Sequence, residues 1–366
     1  MKLTIERAEL LRSLNHVQSV VERRNTIPIL SNVLIEASGS TLRLTATDMD
    51  IAIVESVAAS IGTEGSTTAP AHTLYDIVRK LPDGAQVELG KEDDRLELRS
   101  GRSRFTLQTL PTEDFPVMTG GDMPHTFSLS ANVLRGIVDR TRFAISTEET
   151  RYYLNGIYVH AADGIMRAVA TDGHRLARVE TPLPDGAEGM PGVIMPRKTV
   201  SELRKLIDES EGDVEISLSD TKVRYAFDKV ELTSKLIDGT FPDYERVIPS
   251  GNTKMMLVDC KAFSNAVDRV STIATEKMRA VKMAIAPGTM TLSASSQDSG
   301  SAVEEIEIGY DNDAIEIGFN SRYLLDISGQ IESGQARFEM ADASSPTIVR
   351  DVEDDSALYV LMPMRV

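Results

Sequence analysis

Ser219-Asp220-Thr221-Lys222 has the S-x-x-K spacing in which a lysine can activate a serine nucleophile. The companion motifs of that chemistry are missing and the segment reads as part of a hairpin, so a turn explains it too. Asp172 and His174 are spaced to work as an acid–base pair. Alternate strand residues followed by a turn account for them equally well, and no third partner is in view. The remaining histidines (His16, His72, His125, His160) are scattered, and neither H-E-x-x-H nor H-x-E occurs. No G-x-x-x-x-G-K-[ST] loop is present, and no G-x-G-x-x-G follows a strand. Glu148-Glu149 and Glu353-Asp354-Asp355 read as solvated loops. The one cysteine, Cys260, rules out an internal disulfide and a cysteine-based zinc cluster. No catalytic residue, metal or cofactor is expected, which favours a binding or structural role.

Two other features suit binding. The chain ends Leu358-Tyr-Val-Leu-Met-Pro-Met-Arg-Val366, where Pro363 interrupts an apolar strand between Met362 and Met364. A core strand explains an apolar end, but methionines also suit adaptable surfaces that accept several partners. Arg151-Tyr152-Tyr153 follows Ser146-Thr-Glu-Glu-Thr150. Exposed tyrosines beside arginine can stack on bases; buried strand aromatics are the alternative.

The elements that must position these residues recur. Thr41-Leu-Arg-Leu-Thr-Ala-Thr47-Asp48, Ile165-Met-Arg-Ala-Val-Ala-Thr171-Asp172 and Thr289-Met-Thr-Leu-Ser-Ala-Ser295-Ser296 are alternating strands, each preceded by a turn. Their alanines, Ala46, Ala170 and Ala294, are 124 residues apart in both cases. Segments entering short amphipathic helices recur at Pro70, Pro196 and Asn320, spaced 126 and 124. A helical series at i, i+3, i+4 runs through Leu10, Leu11, Leu14, Val17 and Val21. It repeats at Val133, Leu134, Ile137 and Val138, and again at Phe263, Ala266, Val267 and Val270. Three series at one period predict a tripled α+β module: strand, long helix, strands, short helix, strands. Arg95–Leu107 and Asp220–Leu232 read as hairpins across turns. Breaks at Phe115–Gly121 and Phe241–Gly251 give modules of residues 1–120, 121–245 and 246–366.

The chain of 366 residues holds 39 basic and 56 acidic side chains, a net charge of −17. With 41% hydrophobic residues it can bury several cores. The charged N-terminal segment lacks the apolar run of a signal peptide, and no apolar stretch approaches the ~18 residues of a membrane span. A cytoplasmic protein without membrane partners is expected. The charge argues against binding nucleic acid over the whole surface. The expected helices (7–24, 72–80, 131–142, 197–208, 260–269, 321–331) nevertheless sum to +8, which leaves −25 for the rest. Solvated helix faces are one explanation; helices facing a polyanion are the other.

A compact module of this size has a radius of gyration of roughly 14 Å and behaves as a sphere about 35 Å across. Three in a ring leave a hole of about 5 Å, four about 14 Å and six about 35 Å. Duplex DNA needs more than roughly 20 Å. A trimodular chain would therefore encircle duplex only as a dimer of six modules, closed head to tail by cyclic symmetry.

Ala170-Thr-Asp-Gly-His-Arg-Leu-Ala177, Arg151-Tyr-Tyr-Leu-Asn-Gly156, Gly101-Arg-Ser-Arg-Phe105, Phe241-Pro-Asp-Tyr244 and Val360-Leu-Met-Pro-Met-Arg365 add specific motifs. On these the whole chain resembles the bacterial DNA polymerase III β subunit family, the sliding clamps. The resemblance implies three clamp domains with antiparallel sheets outside and helices lining a central hole, in a head-to-tail homodimeric ring. It implies a non-catalytic processivity factor, loaded on double-stranded DNA by an ATP-driven clamp loader. Such a ring tethers the polymerase III α subunit and other polymerases or repair proteins that carry clamp-binding peptides.

The implied peptide groove lies between modules two and three. Thr171, Gly173, His174, Arg175 and Leu176 form one half. Pro242, Arg246, Val247, Asn320, Tyr323, Ser344, Pro346, Val360, Leu361, Met362, Pro363, Met364 and Arg365 form the other. The implied DNA-facing residues are Arg24, Arg151, Tyr152, Tyr153, Arg197 and Lys198. The implied dimer interface sets Phe105 and Leu107 of one chain against Ile273 of the next. Ala274 stands where some relatives carry a larger apolar residue, and Val366 where leucine is usual. Two rivals remain: a Ser/Lys or Asp/His hydrolase on a repeated scaffold, and a repeat-built peptide binder with no DNA role. Missing nucleophile–base geometry counts against the first and the basic helices against the second.

Overall fold

The computed structural model describes residues 1–118, 121–274 and 279–365. In the first module β1 (Lys2–Glu6) leads into α1 (Arg7–Gln18), then β2 (Asn32–Ser38), β3 (Thr41–Thr47), β4 (Ile51–Ala58), β5 (Ser60–Thr63) and β6 (Gly65–Pro70). Helix α2 (Ala71–Lys80) follows, then β7 (Gln86–Glu92), β8 (Arg95–Ser100) and β9 (Ser103–Gln108). The second module runs β10 (His125–Ser130), α3 (Ala131–Arg142), β11 (Gly156–Ala162), β12 (Ile165–Thr171), β13 (Arg175–Pro182) and β14 (Val193–Pro196). It continues with α4 (Arg197–Asp208), β15 (Asp213–Leu218), β16 (Lys222–Ala226) and β17 (Val230–Lys235). The third runs β18 (Lys254–Asp259), α5 (Cys260–Ser271), β19 (Ala280–Ala286), β20 (Thr289–Ser296), β21 (Gly300–Glu307) and β22 (Ile315–Asn320). It ends with α6 (Ser321–Ser328), β23 (Gln335–Met340), β24 (Thr347–Asp351) and β25 (Ala357–Leu361).

The tripled α+β order is thus present, with β5 an addition to the first copy. Period-two alternation sets the buried faces. Leu42, Leu44 and Ala46 on β3, Met166, Ala168 and Ala170 on β12, and Met290, Leu292 and Ala294 on β20 are all buried. The helices bury their i, i+3, i+4 stripe, as in Phe263, Ala266, Val267 and Val270 of α5. The N-termini of α1, α5 and α6 are capped from the preceding strand. The Glu6 carboxylate accepts from the Ala8 amide at 3.0 Å, Asp259 from Ala262 at 2.7 Å and Asn320 from Arg322 at 3.0 Å.

Contacts divide the chain into two compact units. The first holds residues 1–135, 184–191 and 198–236; the second holds 136–183, 192–197 and 237–366. In the first unit β1, β7, β8 and β9 form a sheet extended by β5. An eight-stranded sheet runs β10-β15-β16-β17-β4-β3-β2-β6. Its middle pairing, β17 with β4, sets Leu232 opposite Ile53 and joins modules two and one. In the second unit an eight-stranded sheet runs β14-β11-β12-β13-β25-β24-β23-β18, beside a four-stranded sheet β21-β20-β19-β22. Here β13 pairs with β25, Leu176 opposite Val360, and joins modules two and three. Each module therefore contributes the same two four-stranded sheets. The last strand of one sheet docks on the third post-helical strand of the module before it.

The first helix is shorter than its 7–24 periodicity predicts. Ser19 closes it: its hydroxyl donates to the His16 carbonyl at 2.7 Å. Val20 and Val21 stay buried because His72 of α2 holds the turn, with Nε2 at 3.0 Å from the Val21 carbonyl and Nδ1 at 2.8 Å from Gln18 Oε1. Arg24 consequently lies on an exposed irregular segment. Helix α6 likewise stops at Ser328, three residues before the expected end. With the observed bounds the six helices sum to +7 against −24 elsewhere, so the polarisation survives the corrections.

Candidate functional site

In both suggested reaction centres the side-chain oxygen is taken up in shaping a turn. The Ser219 hydroxyl accepts the Thr221 and Lys222 amides at 3.3 and 3.2 Å, pinning the β15–β16 turn. Asp172 accepts the His174 and Arg175 amides at 2.9 and 3.0 Å and shapes the turn between β12 and β13. Among the described residues no cluster of three His, Cys, Asp or Glu side chains is arranged to hold a metal. Asp354 is taken up by Arg140 at 2.7 Å and Asp355 by Arg337 at 3.0 Å. The Cys260 thiol is buried at the start of α5, and burial pushes its pKa up to about 11. No described helix is long and apolar enough to cross a membrane.

The second unit instead contains an apolar groove of about 280 Å³. Four separate segments build it: a 3-10 turn at Glu149–Leu154, the β12–β13 turn with the start of β13, residues 242–247, and the end of β25 with the chain after it. Its floor is a cluster of Leu154, Leu176, Tyr244 and Val360 packed on Val169, Ile194 and Phe241. Phe241 stacks on Tyr158 with centroids 4.8 Å apart and planes within 9°, and Tyr158 stacks on His160 at 4.9 Å. His160 Nε2 lies 2.9 Å from the Tyr244 hydroxyl, which burial pushes up to about 12, so Tyr244 is a neutral wall at any working pH. Half-exposed Val247 and Met362 form the open lips, 49% and 41% accessible.

One rim is polar and rigid. Arg175 is buried, and its guanidinium donates to Asp326 at 2.5 Å, to the Phe143 carbonyl at 2.5 Å and to Asp172 at 3.2 Å, while lying 4.2 Å over the Tyr323 ring. Arg151 donates to the Asp172 carbonyl at 3.1 Å and pairs with Glu148. Its guanidinium fills the space over Gly173, where a Cβ would meet Nη1 at 2.6 Å. Gly173 also has φ +88°, a conformation that L side chains adopt at a cost. Gly173→Ala is expected to lower stability by roughly 1–2 kcal/mol and to displace Arg151, which thermal unfolding of the variant against the wild type checks.

Of the implied groove residues, Thr171, Gly173, Arg175, Leu176, Pro242, Val247, Val360 and Met362 line this cavity. His174 and Arg246 are exposed beside it: the His174 carbonyl accepts the Met362 amide at 2.9 Å, and Arg246 pairs with Asp243 at 2.6 Å. Leu361 is buried and paired to Arg175 and Thr347, so it supports the wall from behind. The Met364 amide donates to the Gly318 carbonyl at 2.8 Å, which brings Pro363, Met364 and Arg365 to the end of β22, where Asn320 caps α6. Tyr323 is reached through Arg175. Pro346 offers its carbonyl to Asn252 at 2.9 Å. Ser344 donates its amide and hydroxyl to Asp342, hydrogen bonds that with those from Ser345 hold that carboxyl down near 2. None of these outer residues lines the cavity. Arg151, Tyr153, Leu154, Asp243 and Tyr244 do line it and were not among the residues expected there. The Phe241-Pro-Asp-Tyr244 motif was the sequence signal for two of them.

Of the DNA-facing candidates, Arg24, Tyr152 and Arg197 are exposed, whereas Arg151 and Tyr153 belong to the groove wall. Lys198 is engaged: its ammonium donates to Asp48 at 2.7 Å, to Glu22 and to the Val20 carbonyl at 3.2 Å. Burial opposes its charge, but those carboxylates outweigh burial and raise its pKa. Phe105 and Leu107 lie half-buried on β9, an edge strand, and half-buried Ile273 follows α5. Val366 lies outside the described residues.

Three family models match in series. They are the N-terminal, central and C-terminal domains of the DNA polymerase III beta subunit, at residues 1–119, 128–243 and 245–365. A beta sliding clamp of Caulobacter vibrioides is 55% identical over the full length of both chains. A Bartonella birtlesii DnaN sliding clamp solved bound to griselimycin is 51% identical, with a TM-score of 0.98 and full coverage of both chains. The Caulobacter crescentus pol III beta structure is 56% identical with a TM-score of 0.95, again over all of both chains. The chain belongs to the DNA polymerase III beta subunit family, the sliding clamps, and acts as a non-catalytic processivity factor in DNA replication.

Proposed function

We propose that two copies of the chain join head to tail, β9 of one adding to β21 of the next, and close six modules into a ring around duplex DNA. The observation that carries this reading is the pattern of sheet junctions. Strand β17 docks on β4 and β25 docks on β13, and β9 and β21 are the equivalent pair left at sheet edges. An edge strand offers unpaired backbone groups to another chain. Charge supports the match. Residues 95–108 of the β8–β9 hairpin carry a net +3, whereas β21 carries −3. Val303 on β21 is 70% exposed, and Phe105 and Leu107 line the face beside β9. The domain limits proposed for this assembly are residues 1–120, 121–245 and 246–366.

A ring that holds DNA by topology needs only weak, sequence-independent phosphate contacts. The net +7 of the helices supports their lining the hole, with Arg24, Arg197 and Tyr152 as exposed contributors, while −24 elsewhere faces solvent. The groove, apolar with a rigid polar rim, suits an extended peptide bearing leucine and phenylalanine. Its donors would be the polymerase III α subunit and other polymerases or repair proteins. An ATP-driven clamp loader would place the ring on DNA in the cytoplasm. Sedimentation equilibrium tests the junction: the expected mass is twice 40.0 kDa. A single-chain mass at micromolar concentration would overturn it.

A further inference from the structure

The tenth residue of each module's first helix is basic: His16 in α1, Arg140 in α3 and Arg269 in α5. Arg140 reaches the turn between β24 and β25 in the following module, at 2.7 Å from Asp354 and 3.0 Å from Ser356. In the first unit His16 likewise reaches into the following module, but to the segment after its second helix and not to the turn before its last strand. Its Nδ1 lies 2.7 Å from Glu55 on β4, and its Nε2 lies 3.0 Å from Glu209, which follows α4 in the second module. The His16 and Glu55 side chains are 5% and 6% exposed.

Both ring nitrogens face carboxylate oxygens, which accept only. A neutral imidazole has one donor and would leave the other nitrogen lone pair against an anion, so with both glutamates ionised the geometry requires the imidazolium. We propose that His16 is a pH-sensitive latch between the first and second modules, tying α1 and β4 to the end of α4 when protonated and releasing that joint when it loses its proton.

The surroundings agree. On α1, Ser13 donates to Glu55 at 2.9 Å, Arg12 Nε donates to Glu209 at 2.9 Å, and Glu9 lies two turns earlier. On α4, Glu202 accepts from Ser19 at 2.5 Å and from Lys205 at 2.8 Å. The adjoining cavity is bordered by Glu211 and Asp213 before and within β15, and by Asp228 and Lys229 in the turn before β17. This predominantly acidic shell favours the charged ring. Burial acts against the charge, and the hydrogen-bonded Glu55 and Glu209 overcome it, so the ring's pKa is raised above 6.5. A raised folded-state value gives stabilisation that is complete below about pH 6.5 and disappears as pH climbs through the folded value.

Amide hydrogen exchange on the full-length protein, corrected for intrinsic rates, reads the joint. Protection of α1 and of the β4–β17 pairing is expected to fall about tenfold per pH unit between pH 6.5 and the ring's pKa and then level off. Protection at β13–β25, latched by Arg140, stays flat. His16→Arg is expected to remove the pH dependence and keep protection high; His16→Gln removes it and leaves protection low. Titration of the His16 ring by NMR needs no folded variant. Parallel pH profiles for wild type and His16→Gln, or a ring pKa at or below 6.5, would overturn the latch.

Discussion

A chain ending at Leu361 is expected to bind a leucine- and phenylalanine-bearing polymerase peptide about thirtyfold more weakly, with its dimer mass unchanged. The cut removes Met362, whose side chain forms a lip of the groove, and the two backbone hydrogen bonds that anchor the tail to His174 and Gly318. Burying most of a methionine side chain contributes about 2 kcal/mol, which is roughly thirtyfold in affinity. Leu361 must stay, because it is buried and paired on both sides in the sheet that joins modules two and three. Val247→Asp, on another lip and half exposed, is expected to give a similar loss without touching the tail. Fluorescence anisotropy of the labelled peptide measures both. Unchanged affinity in both variants would remove the groove as the docking site.

Phe105→Asp combined with Leu107→Asp is expected to give single chains. Each replaces an apolar side chain beside the free β9 edge with a charge that would be desolvated against β21. Loss of two such contacts weakens association on the order of 10³-fold or more. Because both residues are half-buried within their own chain, Arg104→Glu is the companion variant. Its side chain is 62% exposed but pairs with Glu97, so thermal unfolding of the variant is measured alongside; the change turns the hairpin's charge toward that of the acidic β21. Sedimentation should show weaker association with a smaller salt dependence than the wild type, because the hairpin then keeps only +1 against the −3 of β21. A wild-type dimer constant for both variants would place the junction elsewhere.

The repeat, the fold class and six helices were legible in the sequence because period-two and period-3.6 patterns survive in each copy. The end of α1 was not: apolar spacing continues through Val21, and only His72, 51 residues on, turns the chain. The groove was legible as a region but not as a lining. Leu154 and Tyr244 reach it from segments 90 residues apart, and the pair Arg151-Tyr153 carries no local sign of which surface it joins. His16 read as one scattered histidine, since its carboxylates lie 39 and 193 residues away. Periodicity reports which face is buried; it does not report which distant group waits there.

Topological capture is tested most directly by loading the protein with its clamp loader and ATP on nicked circular duplex, then linearising half the sample in moderate salt. Retention on the circles with rapid loss from the linear molecules is the expected result. Equal loss from both, or equal retention, would contradict a closed ring that holds DNA by encircling it.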